Sequence, residues 1–186
     1  MRLYPERNRG IFSPEWRPDS LAAKEEKNQP DIINLHWVCG GYIQVESVPK
    51  FNNPLVWTLH DMWFFTGGCH YSEECDRYTQ SCGNCPQLHS NKESDLSRRV
   101  WQRKAKAWKK LNLTLVSPSV WLAKYANSSS LFKDFRVEVI PNGINTQKYK
   151  AIIRHWAREI LNLPQDKQIV LFGGAGGTGA RKGLIC

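Results

Sequence analysis

Three groups of residues in this chain have types and spacings that can do chemistry. The first is a pair of histidines. His36 ends the run Asp31-Ile-Ile-Asn-Leu-His36, and His60 ends Leu55-Val-Trp-Thr-Leu-His60. Both runs read as short strands. The C-terminal end of a parallel strand is where open α/β sheets place their ligand crevice. An imidazole there can donate a hydrogen bond to a substrate hydroxyl or phosphate. The ordinary alternative is a structural histidine bonded to a loop carbonyl. His60 is the stronger candidate, because Asp61 follows it and a long insert begins there.

The second group is Cys69-x5-Cys75-x6-Cys82-x2-Cys85. The Cys82-Gly-Asn-Cys85 spacing is that of a zinc knuckle, and four thiolates can close a tetrahedral site. His70 and His89 are spare ligands. Structural zinc and four free or transiently oxidised thiols both fit the spacing. A catalytic zinc does not, because four cysteines leave no open position. The third group is the loop Gly173-Gly-Ala-Gly-Gly-Thr-Gly179, followed by Arg181-Lys-Gly183. Glycines let backbone N–H groups approach a phosphate, and Arg181 and Lys182 add full charges. No Lys-Ser/Thr pair completes a Walker A loop. A merely flexible loop explains the glycines equally well.

The elements that must carry these residues alternate between strand and helix. Leu21 to Lys27 reads as a short helix, 31–36 as a strand, Ile43 to Phe51 as a helix and 55–60 as a second, mostly apolar strand. Residues 61–94 show few periodic signals, and an insert of that length is usually functional. Asp95 can cap a helix to about Leu111, with Val100, Trp101, Ala105, Trp108 and Leu111 on one face. Lys104 interrupts that stripe, although its stem can pack. Leu113–Ser117 is a third strand, and Ser119 caps a helix to about Ala126. Arg136–Ile140 is a fourth strand, broken by Pro141-Asn-Gly143. Arg154–Leu161 is a helix, and Gln168–Phe172 a fifth strand. This order predicts an α/β fold with a mostly parallel sheet.

Composition limits what such a fold can be for. The 186 residues are 41% hydrophobic and 23% charged, which suits a globular chain. No apolar run approaches a membrane span, and the N-terminus lacks the apolar core of a secretory signal. A cytoplasmic protein with reduced thiols is the expectation. The net charge is +9, with eight basic residues against Glu93 and Asp95 between Lys92 and Lys110. Such a balance favours anionic partners: phosphorylated small molecules, nucleic acid or an anionic membrane face. Eight tryptophans are many for this length, and core packing is their default role.

Two stretches resemble a known family. Pro141-Asn-Gly-Ile-Asn145, a helix, Ile169-Val-Leu-Phe-Gly173 and the loop to Arg181-Lys-Gly183 resemble the domain junction and donor loop of retaining GT-B glycosyltransferases of the group-1 family, family four. Trp57-Thr-Leu-His-Asp-Met-Trp63, Thr66-Gly-Gly-Cys-His-Tyr71, Cys82-Gly-Asn-Cys-Pro-Gln-Leu88 and Val116-Ser-Pro-Ser-Val-Trp121 resemble its bacterial exopolysaccharide branch, of the colanic-acid type.

The resemblance implies two Rossmann-like domains and a nucleotide-diphosphate sugar donor. It implies a saccharide or lipid-linked saccharide acceptor and no metal in catalysis. His60 would lie near the transferred sugar. Gly173, Gly174, Arg181 and Lys182 would hold the donor, the two cations neutralising the leaving diphosphate. By their prolines, charges and lack of period the first ~20 residues read as loop or fray, and residues 1–29 form an irregular N-terminal segment. Residues 30–143 would be a partial acceptor-side domain with its Cys-rich insert at 61–94, and 144–186 the start of the donor-binding domain. Asn145 stands where the family has Asp, and Gly179-Ala180 where Asp-Pro is common. The carboxylates that grip the donor would lie beyond residue 186, so an incomplete, inactive piece is expected. The competing class is a zinc-bearing nucleic-acid-binding module, although no helix-turn-helix, RNA-recognition or OB signature is present. Peripheral contact with the inner membrane face through residues 92–110 is a third expectation.

Overall fold

The computed structural model describes residues 4–8, 10–171 and 173. The chain divides into two compact units, Met1–Asn142 and Gly143–Cys186. The first is built on a four-stranded, wholly parallel sheet in the order β1-β2-β3-β4, which makes the fold α/β and Rossmann-like. β1 is Ile33–Leu35, β2 Leu55–Thr58, β3 Leu113–Ser117 and β4 Arg136–Val139.

Register sorts the side chains. Leu35, Trp57, Leu115 and Val137 lie abreast, as do Ile33, Leu55 and Leu113. Trp57 and Leu115 are fully buried, and the core continues through Phe64, Phe65, Trp108 and Phe132. Residues Asn34, Val56, Thr58, Thr114 and Val116, on the other face, are half-buried or exposed. β2 is therefore fully buried on one face only.

Helix α1 covers Leu21–Asn28, α2 Leu96–Trp108 and α3 Val120–Ser128. Both expected caps form: the Asp95 side chain accepts from Arg98 N–H, and Ser119 from Leu122 N–H. The segment expected to be helical over 43–51 is a 3₁₀ helix, Val45–Lys50, with Pro49 inside it. Proline supplies no N–H for an α-helical bond, so a short, tighter turn results.

The described residues of the N-terminal segment before α1 form an irregular but anchored loop. Phe12 bridges Cys69 in antiparallel fashion, and Ser13 N–H donates to Gly68 O at 2.8 Å. Ser13 and Glu15 are buried. The Arg103 guanidinium donates to Pro14 O at 2.7 Å and Glu15 O at 2.8 Å, and grips both carboxylate oxygens of Glu46 at 2.7 Å. Glu15 in turn accepts the N–H groups of Gly40 and Gly41. These contacts join residues 25 to 89 apart in the chain, a separation no local pattern encodes.

The insert after β2 is packed as well. Three 3₁₀ turns, Trp63–Phe65, Arg77–Thr79 and Pro86–Leu88, punctuate it, and Trp63, Phe64 and Phe65 are buried. Lys104 is the clearest departure from the expected helix face. Not only the stem but the whole side chain is buried. The ammonium donates to Trp63 O and, at 3.1 Å, to Thr66 O, and sits 3.6 Å from the Trp63 ring centroid. Burial pulls its pKa down to about 7.

In the second unit, α4 spans Arg154–Ile160. Asn145 Oδ1 accepts from the N–H groups of Gln147 and Lys148, an Asx turn before it. After α4, Arg158 donates to Pro164 O and Gln165 O. The expected fifth strand is not formed over residues 168–171, and its last residue lies outside the described ones. A strand needs a neighbour for its backbone groups, and no described residue pairs with these. Val170 and Leu171 are accordingly more than 90% exposed.

Candidate active site

Parallel strands in consecutive order bring their C-terminal ends to one edge. Because Leu35 pairs with Trp57, the residues just beyond them converge. His36 Nδ1 and His60 Nε2 are 2.9 Å apart, with ring centroids at 5.2 Å. One imidazole nitrogen must donate and the other accept. Both rings are exposed, so each keeps a face toward solvent. The pairing replaces the loop-carbonyl alternative, since each ring bonds the other candidate.

The loop that presents His60 is fixed from below. Asp61 Oδ1 accepts from Trp63 N–H at 2.9 Å, and Asp61 Oδ2 accepts from Trp37 Nε1–H at 3.1 Å. Oδ2 also meets His70 Nδ1 at 2.6 Å, and His70 Nε2 meets Ser13 Oγ at 2.9 Å. Trp57 Nε1–H donates to His36 O, and Trp63 Nε1–H to Ser13 O. Three polar groups, Trp63 N–H, Trp37 Nε1 and Ser13 Oγ, thus converge on one partly buried carboxylate and its buried histidine, which sets the backbone just after His60. Serine, histidine and aspartate line up here as in a hydrolase relay, yet Ser13 and His70 are buried and their hydrogen bonds are satisfied internally. They position rather than attack.

A cleft of about 510 Å³ runs from His36, Trp37 and Val38 past Tyr42 to Ile32 and Leu21. Trp37 and Tyr42 are exposed there. Flat aromatic faces beside hydrogen-bonding imidazoles suit a molecule with both C–H and O–H surfaces.

Sequence reasoning finds His36 and His60 but not their direct contact, which depends on strand order. It misses Ser13, Glu15 and the Asp61–His70 pair. His70 and His89 were expected as spare metal ligands. His70 is engaged by Asp61 and Ser13, and His89 Nε2 lies 2.7 Å from Asn8 Oδ1. Gly173 is exposed, and no described residue lies within 4 Å of where a Cβ there would stand. Gly174, Arg181 and Lys182 lie outside the described residues. Cys69, Cys75, Cys82 and Cys85 carry free thiols and line one small cavity in the insert.

The basic run at 92–110 is less free than its charge implies. Arg103 and Lys104 are engaged internally, and Arg98 donates to Cys82 O and Glu93. Among the described residues, no helix is long and apolar enough to cross a membrane.

Comparison with known proteins gives two findings. The family model described as Glycosyltransferase Family 4 matches residues 1–148. Among curated proteins, the putative colanic acid biosynthesis glycosyl transferase WcaC of Escherichia coli (strain K12) is 28% identical over 130 residues. That match covers 62% of this chain and 32% of the relative, so the chain spans about a third of that relative's length. No solved structure matches.

Proposed function

The chain belongs to glycosyltransferase family 4, and from that premise we propose that it serves sugar transfer from a nucleotide-diphosphate donor to a saccharide or lipid-linked saccharide. Polysaccharide assembly is the setting, as the similarity to the colanic acid enzyme suggests. In this reaction the bond from the anomeric carbon to the diphosphate oxygen breaks. A hydroxyl oxygen of the acceptor forms the new bond, and its proton leaves with the departing phosphate. Retention of configuration, the GT-B arrangement of two lobes, and independence from a catalytic metal belong to this proposal.

The observation that carries the reading is the meeting of His36 and His60 at the carboxyl edge of the sheet, beside an aromatic cleft. His60, held by the Asp61 lattice, donates a hydrogen bond to a hydroxyl of the transferred sugar. His36 orients the His60 ring through the nitrogen it shares. Trp37 and Tyr42 stack on acceptor sugar faces. Gly173, Gly174, Arg181 and Lys182 are assigned to the donor diphosphate, where cations offset charge that develops on the leaving group.

A chemical-shift titration of the 186-residue chain tests this. Oligosaccharides are expected to shift the ring resonances of His36, His60 and the Trp37 indole, and UDP- or GDP-sugars those of residues 173–182. If neither ligand class moves either group, the assignment is wrong.

A further inference from the structure

The four cysteines of the insert have no part in that reading, yet the segment that carries them is braced on several sides. We infer that Cys69, Cys75, Cys82 and Cys85 form a closed, four-thiolate structural site for one zinc ion.

All four line one cavity of about 20 Å³, together with Gly67 and Tyr78. That volume suits one water-sized particle, hence a single ion and not a cluster of metals. Four sulfur ligands without an open position select a tetrahedral, soft-liking ion and give it a structural role.

The backbone around the sulfurs is already shaped for this. Cys82, Gly83 and Asn84 all have positive φ, at 54°, 91° and 47°, so the Cys-x2-Cys segment makes a tight turn. Helix α2 holds that turn in place. Asp95 Oδ2 accepts from Cys85 N–H, Ser97 Oγ from Gly83 N–H, and Arg98 Nε–H donates to Cys82 O. A Cβ at Gly83 would stand 2.3 Å from Glu93 O, so only glycine fits.

Backbone N–H groups also point at sulfur. Gly67 N–H meets Cys82 Sγ at 3.1 Å, and those of Leu88 and Gln87 act on the Cys85 thiol. Such donors favour a thiolate over a thiol. Four thiolates around Zn²⁺ carry two net negative charges. Lys104 lies within electrostatic reach of Cys69 and Cys82, and Arg77 lines the cavity. The buried ammonium thus acquires a counter-charge.

Among the described residues, no three Cys, His, Asp or Glu side chains already enclose a metal position. Binding therefore includes an inward rotation of the thiols onto bonds of about 2.3 Å, a side-chain movement that leaves the braced backbone where it is.

The test uses the full chain. Metal analysis after purification without chelator should return one zinc per chain. Zinc added alone to stripped protein should rebuild the site, and cobalt should give sulfur-to-metal charge-transfer absorption. The Cys82→Ser, Cys85→Ser double variant should retain none. If that variant does not fold, the wild type suffices. Four of the six cysteines should resist a thiol reagent until a chelator is added, and the chelator should lower the melting temperature. Zinc at the level of the buffer blank, equal zinc in the double variant, or iron in its place would each overturn the inference. The outcome is independent of sugar binding.

Discussion

In the four strands, the hydrogen-bond ladder decides which residues meet. Leu35 faces Trp57, and just past these paired ends His36 meets His60. In residues 61–94 no ladder exists. Trp63, Phe64 and Phe65 are instead seated by burial, and the backbone by single bonds from α2 and the N-terminal segment. The first region positions by period and the second by anchorage. A ladder spreads its constraint over many equivalent bonds. Anchorage concentrates it in a few side chains, so single substitutions there should matter more than at the strand ends. That difference can be broken or sharpened by measurement.

The largest effect is expected from Phe65→Ala. Phe65 is fully buried and lies 5.4 Å from the Tyr78 ring centroid, joining two turns of the insert. Emptying such a site costs about 3–5 kcal/mol. Denaturant unfolding should show that loss in one transition, because Phe64 stacks on Trp108 and Phe132 in the sheet's own core. A separate early transition for the insert would show that the two regions do not share a core.

How far this was legible in the sequence follows the same division. β3 forms over Leu113–Ser117 as its alternation indicates, and Asp95 and Ser119 announce their helices. These signals are local. The seat of Lys104 was not legible, because the carbonyls of Trp63 and Thr66 that receive it lie 41 and 38 residues away. Nor was the anchoring of Ser13 and Glu15, which depends on Gly68, His70 and Arg103. A charged residue inside an apolar stripe was the signal available for Lys104, and its stem was credited where its head should have been. Ile169-Val-Leu171 has strand composition, but a strand is made by its neighbour. Of the candidate site, each histidine was visible by its place at a strand end, while their contact required the strand order.

A middle-sized effect tests the anchorage of the N-terminal segment. Arg103→Ala removes the paired bonds to Glu46 and those to Pro14 O and Glu15 O. The expected loss at pH 7 is about 1–2 kcal/mol, since Glu46 is well exposed and water screens the pair. Hydrogen bonding from Arg103 holds the Glu46 carboxyl below its ordinary value of 4.5. Its contribution is therefore complete above that value and is lost as pH falls through the lowered pKa, where the unfolded chain binds the extra proton. Stability of the wild type should fall below pH 4.5 more steeply than that of the variant. Parallel curves would remove Glu46 from the account.

The smallest effect on stability is expected where the functional claim is strongest. His36 and His60 are exposed, and their bond to each other is open to water. Substituting either by alanine should change the unfolding free energy by no more than about 0.5 kcal/mol, as for surface positions generally. Saccharide-induced shifts at Trp37, by contrast, should weaken markedly in His60→Ala and by less in His36→Ala, because the second residue acts through the first. A structural pair would behave in the opposite way. Its loss would lower the melting temperature and leave the binding isotherm where it was. The two readouts move independently, so the pair of variants separates a histidine that holds the sheet edge together from one that the sheet edge holds out to a substrate.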